Sequence, residues 1–95
     1  MSAYVIVDIQ VHDAARYETY KPRAAATVAA YGGRYLARGG PVEVLEGNWQ
    51  PGRLVILEFP SVEQATAWVN SEEYREPRAL RHASAASNMV VIAGV

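Results

Sequence analysis

Three segments of this chain carry apolar residues on both sides of an extended backbone. In Ala3 to Val11, Val5, Val7, Ile9 and Val11 alternate with Tyr4, Ile6, Asp8 and Gln10, which is the period of a strand. Leu54 and Ile56 oppose Val55 and Leu57 in Arg53 to Phe59, and Val90 and Ile92 oppose Met89 and Val91 in Met89 to Ala93. One side of such a sheet covers the core of its own chain, and the other side needs a second surface. At about 25 cal/mol per Å² of apolar surface, leaving that side wet would forfeit many kcal/mol. A domain's net stability is only about 5 to 15 kcal/mol. The expectation is a homodimer packed sheet to sheet, and monomers at micromolar concentration would remove it.

The remaining segments supply helices and turns. Asp13 sits where an N-cap belongs, and Tyr17, Tyr20, Ala24, Val28 and Tyr31 mark one helical face that Gly32-Gly33 ends. Pro22 lies within this pattern, so a kink or restart is expected near Tyr20 to Lys21. Arg34 to Arg38 and Val42 to Glu46 both read as extended. Gly39-Gly40-Pro41 between them is a tight turn or a bulge bending one long strand, and the bulge is favoured. Which face Arg38 takes depends on that bulge, because a slip of one residue turns a side chain over. Gly47 to Gly52 is a second turn signal. Ser61-Val62-Glu63-Gln64 is a capping box opening a helix with Val62, Ala65, Trp68 and Val69 inward. Ser71 caps a further turn through Tyr74, Pro77 resets the chain, and Arg78 to Ser87 reads as a short helix with Leu80 and Ala83 as its chief apolar positions. The order is βαββαβ: a ferredoxin-like α+β protomer, a single domain over residues 1–95, its antiparallel sheet carrying helices on one face.

Composition bounds the function. With 95 residues, nine basic against ten acidic, the chain has a net charge of -1 and no field for a phosphate backbone or an anionic membrane surface. Neither nucleic acid nor membrane is expected as a partner. No apolar run exceeds five residues and the N-terminus lacks the pattern of a signal peptide, so a cytoplasmic, unanchored protein is expected. The absence of cysteine excludes disulfides, thiolate catalysis and Cys-based zinc sites.

Several strings carry a resemblance. They are Tyr31-Gly32-Gly33-Arg34-Tyr35-Leu36-Ala37-Arg38-Gly39-Gly40, Val42-Glu43-Val44-Leu45-Glu46-Gly47, Arg53 to Ser61, Ser71-Glu72-Glu73-Tyr74 and Arg78-Ala79-Leu80-Arg81. Over nearly its whole length the chain resembles the bacterial "domain of unknown function 1330" family of the dimeric α+β barrel superfamily. The resemblance implies a ferredoxin-like protomer whose sheet pairs with a second protomer to form a barrel. It implies no single reaction, since the wider superfamily includes cofactor-free monooxygenases, muconolactone isomerase, haem enzymes and stress-responsive proteins.

Eight arginines accompany a single Lys21. The planar fork of Arg38, Arg53 or Arg81 suits a carboxylate ligand, although salt bridges to Glu46 and Glu58 would occupy such groups equally well. Asp8 and Glu58 lie on strands expected to be largely buried. There a carboxylate is either paired with arginine, the weightier reading, or raised in pKa and available as a base; Glu58 therefore joins the candidate ligand-binding residues. His82 is a candidate general base and Tyr74 a candidate proton carrier, with a solvated helix position the ordinary alternative for His82. His12 ends a strand beside Asp13, and the two histidines lack metal-ligand spacing, so neither a metal site nor haem is expected. Trp68, Tyr17, Tyr20 and Tyr74 are either core or the wall of a pocket between helices and sheet, and Trp49, in a turn, is expected at the dimer interface.

Two functions fit these residues. The first is a homodimeric, cofactor-free enzyme of monooxygenase or isomerase type acting on an anionic or aromatic metabolite, the enzyme class following from the resemblance. Arg38, Arg53 and Arg81 would orient its substrate, Tyr74 or His82 would move a proton, and Trp68 would wall the pocket. The second is a non-catalytic dimeric ligand-binding or stress-associated module.

Overall fold

A computed structural model describes residues 1–95. Strand β1 (Ala3–Val11) leads into helix α1 (Ala14–Ala30), followed by β2 (Arg34–Arg38), β3 (Arg53–Phe59), α2 (Val62–Val69), α3 (Glu72–Ser84) and β4 (Ala85–Ala93). The sheet order is β2-β3-β1-β4, with every hydrogen-bonded pair antiparallel. This is the ferredoxin-like arrangement. Each strand-helix-strand unit is split, with β3 inserted between β1 and β2 and β1 inserted between β3 and β4.

Caps set the helix limits. Asp13 accepts from the Arg16 amide at 3.1 Å, Ser61 from Gln64 at 3.0 Å and Ser71 from Tyr74 at 3.1 Å. At the end of α1, Gly32 takes φ of 78°, its amide reaching Ala29 O and that of Gly33 reaching Val28 O. These two bonds are a Schellman cap, and only glycine takes that backbone without cost.

The helices cover one sheet face. Val5, Val7 and Ile9 from β1 and Val55, Leu57 and Phe59 from β3 meet Tyr17, Tyr20, Ala24 and Val28 of α1, Ala65 and Trp68 of α2 and Tyr74 of α3 in one core. Trp68 lies between Phe59 and Tyr74, with ring centroids 5.3 Å and 4.4 Å away, and its indole donates to Thr27 Oγ1 at 3.0 Å. The opposite face carries Tyr4, Ile6, Leu54, Ile56, Val90 and Ile92, none of them buried.

The structure corrects several expectations. Val42 to Glu46 forms no strand: β2 ends at Arg38, and residues 41 to 50 are exposed and unpaired. The bulge falls between Tyr35 and Ala37 and not at Gly39-Gly40, which turns Arg38 to the helix side beside Val55. Gly39 instead ends the ladder, its amide donating to Leu54 O at 2.8 Å. Pro77 does not reset the chain, because α3 runs from Glu72 to Ser84 as one helix, and α1 likewise continues through Pro22. In both helices the carbonyl four residues before the proline belongs to an exposed residue, Glu73 or Glu18, where water can replace the missing donor. The short helix read to Ser87 therefore stops at Ser84, and β4 begins at Ala85. Its inward residues are Tyr74, Pro77, Arg81 and Ser84, while Ala83 is exposed.

Candidate functional site

A cavity of about 430 Å³ lies between α2, α3 and β4. Trp68 and Val69 of α2 and Met89 and Val91 of β4 give it apolar walls, with Thr66 and Ser87 as hydroxyl-bearing neighbours. Arg78, Arg81 and His82 reach it from α3, at the helical spacing of three and four that places them on one side.

Arg81 is the unusual group. It is only 4% exposed, yet its hydrogen-bond partners are neutral: Nε donates to the Tyr74 hydroxyl at 3.4 Å and Nη1 to Ser87 Oγ. No carboxylate of the chain forms an ion pair with it. A guanidinium taken from water without a counter-charge is costly, and the cavity it lines is the place where an anion would offset that cost. Arg78 repeats the pattern more weakly. Its Nη1 donates to Val69 O at 3.2 Å, and its Nε is buried without a partner. Burial first, and then the charges of Arg81 and Arg78, hold the exposed His82 imidazole below its ordinary pKa, so it is neutral near pH 7.

Arg81, His82 and Trp68 are thus brought together, and the other expected site residues stand elsewhere. Tyr74 is fully buried and does not line this cavity; its hydroxyl meets that of Tyr20 at 2.6 Å and accepts from Arg81, so it positions the guanidinium from behind. Burial pushes the Tyr20 phenol far up, with Tyr74 adding to the effect. Arg38 and Arg53 lie at the other end of the sheet, under α1, around a gap of about 20 Å³ that holds one water at most. There Arg38 stacks 4.3 Å from the Tyr35 ring centroid, and Arg53 Nε is buried without a partner. Burial raises the Tyr17 and Tyr35 phenols, opposed at Tyr17 by Arg53 and at Tyr35 by Arg38.

Glu58 sits on the opposite sheet face, only half buried, and takes Arg34 Nε at 2.6 Å, which holds its carboxyl below the usual range. Asp8, also half buried, has no arginine partner, contrary to expectation: it accepts from the Trp49 indole at 2.8 Å and the Gly52 amide at 2.9 Å. Trp49 is 58% exposed. Arg78 and Ser87 escaped the sequence reading. The spacing of Arg78 with Arg81 and His82 on the expected helix was the signal for the first, and a strand starting at Ala85 would have turned Ser87 toward them.

A four-stranded antiparallel sheet in this order, with three helices over one face and a cavity beside its edge, defines a ferredoxin-like α+β protein. Similar solved structures bear this out. A protein of unknown function from Rhodopseudomonas palustris matches at TM-score 0.81 with 18% identity, covering 99% of this chain and 82% of that one. SnoaB, a cofactor-independent oxygenase from Streptomyces nogalater, matches at 0.69 with 14% identity over 99% and 93% of the two chains. A dimeric ferredoxin-like protein of unknown function from Thermobifida fusca matches at 0.67 with 18% identity over 99% and 92%. The chain itself belongs to the DUF1330 family, a domain of unknown function, whose model matches residues 2–95. No curated protein sequence matches it. No helix is long and apolar enough to cross a membrane.

Proposed function

We propose that this protein is a homodimer that binds a small carboxylate-bearing metabolite with a flat or branched apolar body in the cavity between α2, α3 and β4. The observation that carries the reading is the buried Arg81, paired only with hydroxyls and facing about 430 Å³ of space. The carboxylate lies against Arg81 and Ser87, and the apolar body lies against Trp68 and Met89. His82, neutral near pH 7, is the side chain placed to take a proton from the ligand, which would make the protein a cofactor-free enzyme. The Streptomyces nogalater oxygenase, cofactor-independent on the same fold, supports that extension. The non-catalytic binding module is favoured by a different observation: no Asp or Glu lines the cavity and Tyr74 is sealed from it, leaving His82 as its only candidate base. The dimer is supported by the apolar outer face and by the dimeric Thermobifida fusca relative.

Titration with 2-naphthoate, followed through the Trp68 indole resonance in nitrogen-15 NMR, tests the site. A saturable shift is expected, weakened about tenfold or more by Arg81→Gln, in line with a charged hydrogen bond worth roughly 1.5 to 3 kcal/mol. The uncharged 2-naphthamide should bind more weakly than the acid. Equal binding of acid and amide, or an unaffected Arg81→Gln variant, would sink the proposal.

A further inference from the structure

The cavity has a neighbour on the same face of the sheet. Ile9 of β1, buried against the helices, pairs with Ser87 of β4 on one flank and with Arg53 of β3 on the other. Residues paired directly across strands share a face, so Ser87 and Arg53 both point toward the helices. Two strand spacings, roughly 10 Å, separate their backbones. Ser87 holds Arg81 at one end of this row. At the other end Arg53 lines the gap under α1, where its Nε is buried without a partner.

The row is positively charged at both ends, and nothing along it is negative. Neither Arg53 nor the adjacent Arg38 forms an ion pair, and Lys21 beside them pairs only with Glu18 of its own helix. No Asp or Glu lines the gap or the cavity. Burial raises the Tyr17 phenol, and both Arg53 and Arg81 oppose that rise, so the two guanidinium groups act on one hydroxyl.

Only Trp68 and Met89 line both spaces. Trp68 is fixed between Phe59 and Tyr74 and by its bond to Thr27. Met89 is half buried, and its unbranched side chain turns about three bonds. With Met89 in place the gap of about 20 Å³ holds one water at most. Turned aside, it joins the gap to the cavity.

Resting on the binding site proposed above, we infer that the ligand carries two anionic groups, one held by Arg81 and Ser87 and the other by Arg53, and that Met89 is the gate displaced to admit the second. The site then selects an elongated dianion over a monocarboxylate of the same shape.

Naphthalene-2,6-dicarboxylate and its half-amide, equal in length but uncharged at one end, test the inference. The diacid should bind at least tenfold more tightly than the half-amide. It should also shift the Arg53 Nε–H resonance in nitrogen-15 NMR as that donor gains an acceptor. Arg53→Gln should cut the advantage of the diacid at least fivefold. Met89→Phe, which thickens the partition without altering a charge, should do the same and serves if loss of Arg53 impairs folding. Equal affinity for diacid and half-amide, an Arg53 Nε–H resonance unmoved at saturation, or an advantage that survives either substitution would overturn the inference. If 2-naphthoate itself shows no Arg81-dependent binding, the proposed site fails and the second anchor falls with it. Arg81-dependent binding of 2-naphthoate without a preference for the diacid removes the second anchor alone.

Discussion

Arg81 and His82 are neighbours in sequence with opposite surroundings. Arg81 is 4% exposed between two hydroxyls, while His82 is exposed at the cavity mouth with two guanidinium groups close by. Burial is the larger cause of the lowered His82 pKa, and the arginines add to it. An NMR titration should therefore place the His82 midpoint below its ordinary 6.5, and Arg81→Gln should raise it part of the way back. A midpoint at or above 6.5 would show that neither burial nor the guanidinium charges govern this group. The linkage has a definite sign. Because the folded protein disfavours the charged imidazole, the His82 contribution to stability is complete above pH 6.5 and declines as pH falls from there through the lower folded value. A bound carboxylate would oppose the two arginines and move the His82 midpoint upward, so the same titration with 2-naphthoate present reports occupancy of the site.

At the scale of elements, the end of α1 is fixed by close contact as much as by backbone angle. A methyl group on Gly33 would stand 2.6 Å from Phe59 Cε1 and 2.9 Å from Val28 Cγ1, both in the buried core. Gly33→Ala is expected to destabilise the protein by about 1 to 3 kcal/mol, measured by urea unfolding, the usual cost of overpacking a filled core. Unchanged stability would mean that the α1 to β2 connection shifts freely. The sequence showed this boundary through Gly32-Gly33, and it showed β1, α1, β3 and α2 through alternation, helical spacing and caps. It misled where one local rule was applied without its context. Pro77 removes one backbone bond, but the carbonyl left without it belongs to exposed Glu73, and α3 continues. The short helix read from Arg78 to Ser87 already carried Arg78, Arg81 and His82 on one side, and what hid part of the site was its end, since Ser87 joins them only from β4. Val42 to Glu46 has the composition of a strand, but strand pairing is a tertiary event, and within its own chain the segment finds no partner. The grouping of Arg81 with Ser87 was beyond sequence periodicity, because it depends on where β4 begins.

For the whole molecule, the open sheet face and the free β4 edge pose the same problem. Tyr4, Ile6, Leu54, Ile56, Val90 and Ile92 form an apolar surface that the helices do not reach, and Val90 and Ile92 are more than half exposed. Charged substitution at Ile92 should therefore separate protomers without unfolding them. Ile92→Lys is expected to sediment as a monomer at micromolar concentration while keeping the far-ultraviolet circular dichroism of the parent, and a dimer undiminished by this change would place the interface elsewhere. The polar groups around the patch have partners within the chain, Asp8 with Trp49 and Gly52, and Glu58 with Arg34, so covering this face leaves few charges to be desolvated alone.

Native mass spectrometry of gently purified protein puts the assembly and the cavity to one test. The expected species has twice the 10.4 kDa chain mass, with any retained small molecule released when Arg81 is replaced by Gln. A monomer at micromolar concentration would contradict it, because the two-sided apolar strands would then have been left facing water.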